Sequence, residues 1–115
     1  MNLKSTIIAF SLLSLMTLWA VGSANAERTL YLNACQELVS MARTYEARAN
    51  WHNRVARSLM NQIENFAKLP KNQATITIMD NLFSQYDENR ALESKFRELY
   101  RKTSAEADTC MQGAQ

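Results

Sequence analysis

The sequence predicts an all-α protein, an antiparallel helical hairpin closed by one disulfide, and three observations carry that expectation. From Cys35 to Phe66, steps of three and four residues link Cys35, Leu38, Ala42, Tyr45, Ala49, His52, Ala56, Leu59, Ile63 and Phe66. This 3.5-residue period lines one stripe of a helix and calls for a packing partner along its length. A second such ladder runs from Thr75 to Cys110, and the chain's only proline, Pro70, stands between the two. The two cysteines are placed symmetrically about that connection, one on each ladder.

The first segment reads as a targeting signal and is set apart from the fold. Lys4 supplies a positive end, Ile7 to Val21 is an apolar run, and Ala24-Asn25-Ala26 is an A-x-A cleavage site. Together they have the three parts of a secretory signal peptide over residues 1–26. A spanning helix needs about 20 apolar residues, so the run is short for an uncleaved anchor, although Trp19 and Val21 lengthen it. Leu32-Asn33-Ala34-Cys35 loosely resembles a lipobox, but Glu27 and Arg28 separate it from the apolar run, which rejects a lipoprotein. The expected location is therefore periplasmic or secreted, with contact to a membrane only through the signal peptide.

Cleavage after Ala26 leaves a single helical domain, residues 27–115, with 12 basic and 11 acidic side chains. A chain this close to neutral is a poor match for nucleic acid, whose binding depends on neutralising phosphates. The charge is uneven along the chain: Arg28 to Lys68 holds six basic and three acidic residues, and Asn72 to Gln115 holds five and seven. Two solvated helix faces that complement each other account for that split.

Glu27 to Leu69 contains neither Gly nor Pro and is rich in helix formers, with Thr29 as a candidate cap. Its weakest point is Asn50-Trp51-His52-Asn53, where a bend is expected if the helix breaks. Leu69-Pro70-Lys71-Asn72-Gln73 is the one clear boundary. Thr75-Ile76-Thr77-Ile78 alternates like a strand but has no partner strand, and reads as the entry to a second helix with Thr77 and Asp80 as a capping box. The second ladder then passes through Thr75, Met79, Leu82, Tyr86, Asn89, Glu93, Phe96, Tyr100, Thr103, Ala107 and Cys110. Asn89 and Glu93 interrupt it, so a break near Asp87-Glu88-Asn89 is a further expectation, giving three or four shorter helices.

An even cysteine count in an exported protein favours a disulfide. Residues whose numbers sum to about 145 share a level in a hairpin folded at Pro70, which sets Cys35 against Cys110. The same arithmetic sets Ile63 opposite Leu82, Ala49 opposite Phe96, and His52 opposite Glu93. His52 and Glu93 are thus expected to form a polar pair in the core, each satisfying the other.

His52 is the chain's only histidine, and with Glu93 it makes two ligands at best, short of a zinc set. Met41, Met60, Met79 and Met111 are scattered along both ladders and read as gap-fillers, not as a soft-metal site. No C-x-x-C, haem-attachment signal, Gly-rich phosphate loop or hydrolase motif occurs. No cofactor, metal or catalytic residue is expected, and the chain does not read as an enzyme.

Trp51 is turned outward from the stripe, with Arg48, Arg54 and Val55 three or four residues away. A Trp ringed by Arg matches the composition of a protein-binding hot spot. The competing account packs Trp51 on the far half of a bundle or in a homodimer, since two helices alone bury little surface. In format alone, the chain is similar to acid-stress periplasmic chaperones and periplasmic immunity proteins. None of their motifs occurs here, so the similarity transfers no residue roles. Three functions remain open: an envelope interaction protein (inhibitor, immunity factor or chaperone) using Trp51, Arg48 and Arg54; a carrier of a ligand or metal in the bundle; and a structural envelope-stress protein with no discrete ligand.

Overall fold

In a computed structural model, residues 13–113 are described and form two helices, α1 over Leu13–Ala67 and α2 over Gln73–Gly113. Lys4 and the first part of the apolar run of the signal segment lie outside the described residues, as do the last two residues of the chain. Among the described residues no helix is long and apolar enough to cross a membrane. The helices pack antiparallel as a hairpin, 14 Å across its thinnest dimension.

Both helices are unbroken. The polar cluster Asn50–Asn53 does not bend α1, because Asn50 and Asn53 accept hydrogen bonds from Arg97 and Arg90 across the seam (3.3 and 3.2 Å). Nor does Asn89 break α2. Its amide nitrogen donates to the Gln85 carbonyl at 2.9 Å, and its oxygen finds a partner on α1. Two expected helix starts fall elsewhere. Thr29 lies inside α1 and bonds back to the Asn25 carbonyl, so it caps nothing. The cap of α2 is Asn72, not a Thr77–Asp80 box. Asn72 Oδ1 accepts from the Thr75 amide at 3.0 Å, and Thr75 Oγ1 accepts from the Asn72 amide at 2.9 Å, a reciprocal arrangement that puts the cap ahead of Thr77 and starts the helix at Gln73. At the other side of the turn, the Leu69 amide reaches the Phe66 carbonyl at 3.0 Å and tightens the end of α1.

The seam follows the two ladders. On α1, Cys35, Ala42, Ala49, Ala56, Leu59 and Ile63 are buried; on α2, Leu82, Thr103 and Ala107 are. Every other ladder position is half-buried. Alanines on α1 let the larger residues of α2 come close, and the apolar packing is thickest near the turn, where Leu59, Ile63 and Leu82 meet Phe66, Met79 and Tyr86. Cys35 and Cys110 form the disulfide that closes the open end, with Cα atoms 5.5 Å apart. Just past it, Tyr31 covers the end of α2. A Cβ on Gly113 would stand 2.8 Å from the Tyr31 hydroxyl.

Candidate interaction site

At mid-height the hairpin brings a group of polar and aromatic residues together. Phe96 of α2 sits over the hole that Tyr45, Arg48, Ala49 and His52 make on α1, the i, i+3, i+4, i+7 spacing that receives a knob. Its ring centroid is 6.2 Å from Tyr45 and 5.7 Å from His52, and the Arg48 guanidinium lies 5.5 Å above it. Ala49, fully buried at the floor, leaves the room.

His52 and Glu93 do share this level, yet neither takes the other as its hydrogen-bond partner. His52 Nδ1 donates to Asn89 Oδ1 at 2.8 Å. The Asn89 amide nitrogen is held by the Gln85 carbonyl, which turns its oxygen toward the histidine and fixes the proton on Nδ1. Glu93 is claimed instead by its own helix. Arg90 donates to Oε1 at 2.6 Å and Arg97 to Oε2 at 3.2 Å. The reason is geometric: interdigitated side chains meet residues one turn above and below their own level, and arginines three before and four after Glu93 reach it without crossing the seam.

Glu93 is 13% exposed. Burial alone pushes its carboxyl up, but the hydrogen bonds from Arg90 and Arg97 outweigh this and hold it below the usual glutamate range. The hydrogen bonds to Tyr86 and then Glu93 raise Arg90 further above its already high value. Since Arg90 and Arg97 also reach Asn53 and Asn50, the carboxylate anchors a bridge between the helices on one side of the seam.

The opposite side of the seam carries Trp51. It is 56% exposed and its ring lies 6.0 Å from the Arg54 guanidinium. Arg48 is the exception among the expected trio, because its guanidinium is over Phe96 at the seam edge. Sequence reasoning missed two things here. Asn89 as the partner of His52 was visible only as a ladder defect. The other residues of this side, Met41, Val55, Ile78, Leu92 and Leu99, stand one position before ladder residues, a spacing that the sequence does show. Against protein families, curated proteins and solved structures, the chain has no match.

Proposed function

We propose that this chain is a small exported helical interaction protein that acts through the side of the hairpin carrying Trp51, in the manner of an envelope inhibitor, immunity factor or chaperone. The observation that carries the reading is the 56% exposure of Trp51 on a helix whose seam is already filled without it. A large aromatic left in water contributes little to folding, whereas at an interface it buries ~200 Å². Arg54 beside it adds positive charge that favours an acidic partner surface and speeds association at low salt. The signal-like segment and the disulfide support export.

The test is Trp51→Ala, followed by thermal unfolding and by capture of envelope proteins identified by mass. Loss of a captured partner by a variant that keeps its helical fold is the expected result. Loss of the helical fold itself on Trp51→Ala makes Trp51 part of the hairpin's own core and overturns the reading.

A further inference from the structure

The Trp51 side is not an isolated tryptophan on a polar surface. Within the paired stretch, Met41, Trp51 and Ile78 are exposed by 47, 56 and 40% along this side. Between them Val55 and Leu92 are half-buried. The other side of the seam is occupied at mid-height by the Arg90–Glu93–Arg97 bridge, and its exposed Leu69, Ile76 and Phe83 lie at the turn end.

We infer that a second copy of this chain packs on the Trp51 side, about a two-fold axis that crosses the hairpin at the level of Asn53 and Leu92, to form a four-helix bundle. The inference rests on the reading of this side as the interaction face and names its occupant.

Self-complementarity carries it. The Cys35–Cys110 bond fixes which residues share a level, and Asn53 and Leu92 are such a pair. Trp51 and Val55 lie two residues to either side of Asn53. A two-fold there sets each Trp51 on the Val55 of the other copy. On α2, Glu88 and Lys95 are both exposed and lie four residues before and three after Leu92, on the same side of the helix. The same axis brings each carboxylate beside the other copy's ammonium, and does so twice. One patch that complements itself in apolar shape and in charge is what an isologous interface requires.

Size agrees. From Met41 to the level of Ile78 the side spans about 39 Å at 1.5 Å per residue, and two adjacent helices are about 20 Å wide, which gives roughly 800 Å² per copy, the size of a standard stable interface. The need agrees too. Cys35 is the largest side chain that the hairpin buries completely, so a single copy has a thin core, and a second layer supplies the missing burial. An envelope partner that uses Trp51 competes with the second copy for this side.

The experiment is sedimentation equilibrium of the disulfide-bonded protein and its charge variants, with circular dichroism to confirm helicity. The wild type is expected to be a dimer. Glu88→Lys and Lys95→Glu each set like charges together and raise the dissociation constant roughly tenfold or more, while the double variant E88K/K95E recovers wild-type affinity to within about threefold. Trp51→Ala gives a folded monomer. A wild type that stays monomeric at roughly 1 mM overturns the inference. So does a dimer whose affinity ignores both reversals. If the monomer still loses an envelope partner on Trp51→Ala, the interaction reading stands and only its occupant was wrong. A dimer and a captured partner that both survive Trp51→Ala overturn the two together.

Discussion

The ring of His52 lies flat against that of Phe96, with centroids 5.7 Å apart and planes within 2° of parallel. This contact fixes the relative height of the helices more tightly than the alanine levels beside it, because small residues tolerate sliding and a ring seated between two others does not. Phe96 has Tyr45 on one side and His52 on the other. His52 in turn has Phe96 on one side and Asn89 on the other. A slip by one turn would unseat both rings and leave the histidine without its acceptor. The mid-height cluster therefore works as a register lock, and the disulfide closes a hairpin already in step.

The His52–Asn89 hydrogen bond should appear as coupling energy. Removing either partner leaves the other half-buried and unpaired, at a cost of about 1–3 kcal/mol. Replacing both by Leu removes the unpaired group as well as the bond. A double-mutant cycle on denaturant unfolding is expected to show a double variant less destabilised than the sum of the singles by about 1 kcal/mol. The same cycle run on His52 and Glu93 is expected to show much weaker coupling, since Glu93 bonds to Arg90 and Arg97. Equal coupling in the two cycles would argue against the assigned partner.

Glu93 makes stability depend on acid. Its folded pKa is depressed, so its contribution is fully present above the ordinary glutamate value of about 4.3 and is lost as pH falls through the folded value. Unfolding free energy of the wild type should therefore decline below about pH 4.5. Glu93→Gln is expected to be less stable at neutral pH and to show a shallower decline in acid. The measurement is chemical denaturation between pH 2.5 and 7, values chosen to bracket roughly both states of the carboxyl. Parallel curves for the two proteins would assign the acid dependence to other carboxylates.

How far these features can be read from residues alone depends on the scale of the interaction. The ladders were legible because burial follows a fixed helical period, and every ladder position from Cys35 to Cys110 is buried or half-buried. The disulfide followed from the same register. Helix continuity was less legible, since Asn50, Asn53 and Asn89 resemble breakers until their partners on the facing helix are known. Partner choice was the least legible. His52 and Glu93 do lie at one height, but a side chain bonds to whichever group its rotamer reaches, and that choice is settled within one turn. The cap moved for a similar reason: Asn72 and Thr75 bond reciprocally at the turn, ahead of the Thr77–Asp80 alternative.

The Cys35–Cys110 bond should dominate the stability of the single hairpin. The linked residues are 75 apart in sequence, and closing a loop of that length stabilises the fold by roughly 4–5 kcal/mol in the chain-entropy model. Against that stands a seam whose buried residues away from the turn are small (four alanines, Thr103 and Cys35 itself), with its apolar cluster at the far end near the turn. Reduction frees the open end, where little else joins the helices, so fraying should begin there and run toward Phe96. Two measurements check this. Denaturant unfolding of the reduced protein, or of C35S/C110S, should show a loss of about 3–5 kcal/mol relative to the oxidised form. Amide exchange should rise first around Leu38 and Ala107 and last around Ile63 and Leu82. Uniform exchange along both helices would mean that the seam holds without its staple.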